Sequence, residues 1–234
     1  YEDEMLREYA KGLRCRVVFF SSRRELESGI YLDKNGGIYI SEKGSRKLLL
    51  NISSMKLVGI HNAENVMAAI AISEAVGVPS DLYVEVIKGF DAIEHRIEYV
   101  DTIDGVIYYN DSKGTNTDAS KKALEAMERK TVLIAGGYDK GSEYDDWVEA
   151  FGDKIKCLVL LGATKEKIAD TAKKHGFTNI IMVESLKEAV RKAAENAKAG
   201  ETVLLSPACA SWDMFKSYEE RGRLFKDFVR ALKE

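Results

Sequence analysis

"TVLIAGG", residues 131–137, decides the fold. From Thr131 to Ala135 it carries no charge and lacks the apolar–polar alternation of a half-exposed strand. Such a strand is buried on both faces, the usual state in parallel sheets covered by helices. The pattern returns in "CLVLLG" (157–162), "NIIMV" (179–183) and "TVLLSPA" (202–208). Helical spacing fills the gaps. Residues 117–128 align Ala119, Ala123, Leu124 and Met127, and "YDDWVEAF" (144–151) places Tyr144, Trp147, Val148 and Phe151 at i, i+3, i+4 and i+7. Further helices are predicted over 164–175, 185–198 and 213–233, the last presenting Phe215, Tyr218, Phe225, Phe228, Val229 and Leu232. "RIEYVDT" (96–102) and "GVIYYN" (105–110) are strands. Strands alternating with helices and joined by right-handed crossovers give an α/β, Rossmann-like, doubly wound and mostly parallel sheet.

Working back toward the N-terminus, the pattern changes near residue 93. "CRVVFF" (15–20) predicts a buried strand, "GIYLDKNGGIYI" (29–40) a hairpin around Lys34–Gly37, and "KLLLNI" (47–52) another strand. A helix is expected over 62–77, with apolar residues at 63, 66, 67, 70 and 71. Ser80 is expected to cap a second one ending at Gly89. The chain therefore divides into a β-rich piece, 1–92, and a complete α/β domain, 93–234.

The 234 residues carry 31% charged side chains that nearly cancel to −3. With no basic stripe, nucleic acid is not the expected partner. Cys15, Cys157 and Cys209 have no C-x-x-C spacing, which suits reduced thiols in the cytoplasm. No apolar stretch is long enough to span a bilayer, and "YEDEMLREYA" lacks a signal-peptide layout. No His, Cys or carboxylate spacing suits a metal, and there is no G-x-S-x-G elbow.

In open α/β sheets ligands gather beyond the carboxyl ends of the strands. Three polar segments fall there: 110–116, 136–142 and 206–213. "NDSKGTN" (110–116) has lysine, glycine and threonine in the wrong order for a phosphate loop, G-x-x-x-x-G-K-[ST]. Alone it reads as a scrambled loop, or as a turn capped by Asn116 or Thr117. "AGGYDKGS" (135–142) offers glycines that let a ligand approach backbone amides, with Lys140 for an anion; a glycine-rich turn with a solvated lysine fits equally. In "SPACASWDMF" (206–215) Ser211 is read as preceding the last helix, with Asp213 a possible cap. It serves either as an N-cap or, with helix amides, as an anion site. Cys209 reads as a small buried residue, and His175 as a helix C-cap before Gly176. His95–Arg96 at the junction either holds phosphate or holds the interface.

Together "GIHNAENVMAAIAISEAVGV", "EHRIEYV", "NDSKGTN", "LIAGGYDKG" and "LLSPACASWDMFKSYEERGRLF" resemble the Mur ligases of bacterial cell-wall synthesis, in the branch that adds D-glutamate. The resemblance covers about residues 57–234. It implies that 1–92 is the later, β-rich part of a P-loop-type ATPase domain and that 93–234 binds D-glutamate. The family's Walker loop, Mg²⁺ ligands and UDP-sugar domain would then lie upstream of Tyr1, leaving this piece inactive alone. The implied reaction is ATP-dependent addition of D-glutamate to UDP-N-acetylmuramoyl-L-alanine through an acyl phosphate, in a cytoplasmic monomer, with closure about a hinge near 90–95.

By motif, the resemblance puts Asn62 and Asn65 near the adenine. It puts Arg96 and Asp111 at the ribose and phosphates, with His95 and Lys113 beside them. Thr115, Lys140, Ser211, Trp212 and Tyr218 fall at the D-glutamate pocket, and His95, Arg96 and Lys140 form the catalytic set. Two other readings stay open: a non-catalytic nucleotide- or ligand-binding α/β module, and a related amide ligase such as a folylpolyglutamate synthetase.

Overall fold

The computed structural model describes residues 1–233. The chain divides into two compact units, Tyr1–Asp91 and Ala92–Glu234.

In the first unit, α1 (Glu4–Ala10) precedes a four-stranded sheet of β1 (Phe20–Ser21), β2 (Gly29–Leu32), β3 (Gly37–Glu42) and β4 (Ser45–Asn51) in that order. A 3-10 turn, Ile52–Ser54, leads to α2 (Ile60–Ala75) and α3 (Ser80–Gly89). The hairpin forms as expected: Gly36 takes the left-handed φ of +81° and β2 pairs antiparallel with β3. Ile30, Ile38, Met67 and Ile70 form the centre of its core. Two expectations are corrected. "CRVVFF" is a strand only from Phe20, because pairing with β2 begins at Phe20–Ile30; Cys15 is exposed. Ser80 is the first helical residue, not the cap, and its hydroxyl accepts from Lys47 Nζ at 2.9 Å.

The second unit begins with β5 (Glu98–Ile103) and β6 (Val106–Asn110), then α4 (Thr117–Ala126), β7 (Thr131–Ala135), α5 (Asp145–Glu149) and β8 (Ile155–Leu160). It continues through α6 (Lys165–Lys174), β9 (Ile180–Met182), α7 (Leu186–Asn196), β10 (Thr202–Leu205) and α8 (Tyr218–Arg230). The sheet order is β5-β6-β10-β7-β8-β9, parallel except for β5. The exception has a local cause: Asp104 and Gly105 both adopt positive φ, 50° and 77°, the geometry of a two-residue hairpin turn.

Strand periodicity separates the two faces. Val132, Ile134, Val159, Val203 and Leu205 join Phe225 and Val229 in one core, under α7 and α8. The alternating Leu133, Leu158 and Leu204, also fully buried, face the layer of α4, α5 and α6. The fold is thus α/β and doubly wound, as "TVLIAGG" predicts. Because β10 inserts between β6 and β7, the loops after β6, β10 and β7 stand side by side. The last helix is shorter than its apolar spacing suggests. It starts at Tyr218, where Ser217 caps it by accepting from Glu220 N at 3.3 Å. A serine followed three residues later by glutamate is a stronger start signal than the spacing of Phe215.

Candidate functional site

At the end of β6, Asn110 is fully buried and makes directional use of its amide. Its Nδ2 lies 2.9 Å from His95 Nδ1 and 3.0 Å from Glu98 Oε2. An amide nitrogen can only donate, so His95 Nδ1 accepts and a neutral ring carries its proton on Nε2. That Nε2 is buried without a hydrogen-bond partner among the described residues, 3.6 Å from Glu94 Oε1. Burial lowers the His95 pKa, against the pull of Glu94 and Glu98. The backbone around it is strained: His95 and Ile97 hold φ of 69° and 44° on either side of Arg96. Gly222 of α8 lies against the ring, where a Cβ would stand 2.2 Å from Nδ1.

Asp111 follows. Its Oδ2 accepts from Ser206 Oγ at 2.7 Å and its Oδ1 from Ile97 N at 3.3 Å. Burial pushes this carboxyl up to about 7, against those two hydrogen bonds and the Arg96 and Arg221 guanidiniums. Lys113 places Nζ 5.6 Å from the centroid of Tyr218, whose ring meets His95 edge-on at 5.9 Å. Arg96 is exposed, and neither it nor Lys113 has an ion pair among the described residues. Thr115 N bonds Lys113 O, and Asn116, not Thr117, caps α4 through Ala119 N at 2.8 Å. Gly114 leaves no room for a methyl: a Cβ would come 2.4 Å from Asp111 Oδ2 and 3.0 Å from Ser206 Oγ. Gly114→Ala is therefore expected to push the carboxylate off Ser206 Oγ and to destabilise the unit by about 1–3 kcal/mol, checked by urea titration; an unmoved transition would show that the pair tolerates the methyl.

One member of the site escaped the sequence reading. Arg221, on α8, is 2% exposed and makes no salt bridge among the described residues, though Asp213 and Asp111 act on it at longer range. Its Nη2 donates to Ser112 O at 2.8 Å and Cys209 O at 3.2 Å, Nη1 to Cys209 O and Ala210 O, and Nε to Ser112 Oγ. One fork thereby joins the loop after β6 to the loop after β10. Burial lowers its pKa to about 10, so it remains a cation. The missed signal is periodic: Arg221 shares the buried stripe of α8 with Phe225 and Val229, where a charge has no place unless it is held.

The loops after β7 and β10 correct two expectations. The glycine amides of "AGGYDKG" are not offered to a ligand. Gly136 N donates to Pro207 O, Gly137 N to Thr164 Oγ1 and Gly141 N to Asp139 Oδ1. The glycines serve backbone packing instead, since a Cβ on Gly136 or Gly137 would come 2.1 Å from Leu161 O or 2.2 Å from Ala210 O. Nor do Ser211 and Asp213 start the last helix. Ser211 is buried in a turn with its carbonyl accepting from Phe215 N, and Asp213 accepts from Ala163 N at 2.9 Å. Cys209 is buried as expected, 3.1 Å from Tyr144 Oη, and His175 closes α6 while bonding Asp145.

Trp212 is 65% exposed and lies against Tyr138, centroids 5.6 Å apart; Lys140 is exposed without an ion pair among the described residues. The second unit thus brings His95, Lys113 and Tyr218 into mutual contact, with Arg96, Asp111 and Thr115 on the same segments. It keeps Ser211, Trp212 and Lys140 on the two neighbouring loops. Asn62 and Asn65 lie in the first turns of α2, Asn62 bonding Val58 O at 2.8 Å and Asn65 exposed.

A family model described as "Mur ligase, glutamate ligase domain" matches residues 95–209. The UDP-N-acetylmuramoylalanine--D-glutamate ligase of Lachnoclostridium phytofermentans is 54% identical over 234 residues, all of this chain and 51% of that relative. The protein of that name from Thermoanaerobacter sp. strain X514 is 49% identical over 100% of this chain and 52% of its own length. The chain spans about half the length of the curated relatives it matches. Among solved structures, the UDP-N-acetylmuramate-alanine ligase MurC of Thermotoga maritima aligns with TM-score 0.64 over 92% of this chain and 48% of that one, at 15% identity. The MurF ligase of Thermotoga maritima, in complex with ADP, gives 0.63 over 99% and 53%, at 14% identity. Those two carry the fold alone; the sequence relatives carry more. The chain belongs to the Mur ligase family.

Proposed function

We propose that this chain is the C-terminal part of a cytoplasmic, monomeric ligase that joins D-glutamate to UDP-N-acetylmuramoyl-L-alanine at the expense of ATP. The observation that carries it is the meeting of three strand-end loops. Among the described residues, Lys113 and Lys140 on these loops and Arg96 on the segment before β5 are cations without an ion pair, and His95 Nε2 on that same segment is buried without a hydrogen-bond partner. A site rich in cations and donors suits two anionic substrates. The names of the relatives aligned along the whole chain supply the acceptor.

In the proposed reaction the alanyl carboxylate takes the γ-phosphoryl group of ATP. The D-glutamate amine then attacks the acyl phosphate, forming the amide bond and losing a proton as phosphate leaves. Catalysis of this kind is mainly positioning and charge neutralisation. Arg96 and Lys113 would bind phosphate oxygens, His95 would donate from Nε2, and Asp111 would accept from the nucleotide. Asn62 and Asn65 would hold the adenine. Lys140 would bind a D-glutamate carboxylate, Thr115 and Ser211 would donate to it, and Trp212 and Tyr218 would wall the pocket. Among the described residues no group of three or more His, Cys, Asp or Glu side chains could hold a metal ion. No helix of the described residues is long and apolar enough to cross a membrane.

Steady-state assay of the full natural protein with a panel of amino-acid acceptors tests the reading; turnover confined to D-glutamate is expected. Lys140→Ala should raise KM for D-glutamate about 10–100-fold, the loss of one charge-assisted hydrogen bond. Unchanged KM and kcat would remove Lys140 from the pocket, and turnover with L-glutamate on a folate acceptor would favour the folylpolyglutamate synthetases.

A further inference from the structure

Trp147, on α5, is 1% exposed, and its indole Nε1–H donates to Ser120 Oγ at 2.9 Å. Ser120, fully buried on α4, lies 2.8 Å from Ser206 Oγ and 3.1 Å from Ser206 O. Ser206, also fully buried, sits just past β10 and reaches Asp111 Oδ2 at 2.7 Å. An indole nitrogen can only donate and an ionised carboxylate can only accept, while each serine hydroxyl has a single proton. With Asp111 ionised, Ser206 gives its single proton to Asp111 Oδ2 and Trp147 gives to Ser120; the one Ser120 proton is shared between Ser206 O at 3.1 Å and Ser206 Oγ at 2.8 Å. No member can turn to solvent. Gly114 closes the remaining side, with no space for even a methyl beside the Asp111–Ser206 pair.

We propose that Trp147, Ser120 and Ser206 are positioning residues, a one-way chain of donors that holds the Asp111 carboxylate in the rotamer offered to the nucleotide. The proposal rests on Asp111 facing the nucleotide, as in the proposed function. A tryptophan N–H needs only a nearby carbonyl to be satisfied. Here it is spent through two serines on the buried Asp111 carboxylate. Chained hydrogen bonds polarise one another, so the far donor strengthens the last bond. The other groups acting on Asp111 are Ile97 N, Arg96 and Arg221, none of them members of the chain.

The test uses the full natural protein and reads kcat/KM for ATP across pH. Ser206→Ala should lower it about 10–100-fold and move the acid limb upward by about one pH unit, since a lost donor raises a carboxyl pKa. Trp147→Phe keeps an aromatic ring and removes the N–H together with the five-membered half of the indole. It should act in the same direction by about 2–5-fold. In the Ser206→Ala background Trp147→Phe should add nothing, because the chain is already cut. Additive effects, or a Trp147→Phe protein with unmoved limb and unchanged kcat/KM, would overturn the proposal. A wild type that fails to join D-glutamate overturns the functional reading alone. The relay is then read from the ¹³C-carboxyl titration of Asp111: an upward midpoint in Ser206→Ala supports it, and an unmoved midpoint overturns it.

Discussion

Arg221→Met is expected to destabilise the Ala92–Glu234 unit by about 2–5 kcal/mol and to lower ligation with it. Methionine keeps much of the volume and discards the fork. The carbonyls of Cys209 and Ser112 then lose the Arg221 donors that now serve them, at about 1–3 kcal/mol per orphaned buried acceptor. Relief from burying a cation works the other way. It is the smaller effect, because the guanidinium already makes five contacts with oxygen and stays charged, with its pKa lowered only to about 10. Arg221→Lys should recover little, since a point charge cannot span both loops as the planar fork does. Both tryptophans, Trp147 and Trp212, belong to this unit, so their fluorescence in a urea titration reports on it selectively. A transition unmoved in Arg221→Met would show that the clamp contributes nothing.

Arg221 also marks the boundary of what the sequence discloses. Parallel strands are legible because burial on both faces removes alternation: "TVLIA", "CLVLL" and "TVLLS" could hardly be read otherwise. The meeting of the 110–116, 136–142 and 206–213 loops is legible too, since carboxyl ends of parallel strands must share one edge. Pairing across the chain is not. Nothing in "NDSKGTN" says that Asn110 holds His95 and fixes its tautomer, or that Ser206, 95 residues on, donates to Asp111. Composition misleads where geometry decides. The glycines of "AGGYDKG" suit ligand approach as well as backbone contact, and only their spent amides choose between the two. "CRVVFF" has strand propensity throughout, yet a ladder exists only where a partner strand lies alongside. A charge on the apolar stripe of α8 was the one overlooked clue.

Asp111→Asn is expected to cost about 10²–10³ in kcat/KM while making the protein more stable above neutrality. The two effects share a cause. Asp111 is 6% exposed, and burial pushes its carboxyl up to about 7 from the 3.8 of an unperturbed aspartate. Between those values the native state holds a proton that the unfolded chain has released. Stability therefore falls as pH rises through that window and is highest below it. Asparagine removes the burden without leaving a polar atom stranded. Its Oδ1 can keep the bond from Ile97 N, and its Nδ2 can donate to Ser206 Oγ, whose own proton turns to Ser120. At pH 8 the variant should melt a few degrees higher than wild type, on the order of 1–3 kcal/mol. At pH 5, where native Asp111 is protonated but the unfolded carboxyl is largely ionised, the gap should be smaller, and it closes only below 3.8. Calorimetric melting temperatures across pH 5–8 measure this beside the rate. Equal melting temperatures at every pH would mean that Asp111 is ionised and well solvated in the folded protein. A lower melting temperature at pH 8 would mean that the carboxylate holds the loops together. If both expectations are met, the protein keeps a buried carboxylate that weakens its fold because the nucleotide site needs an acceptor there.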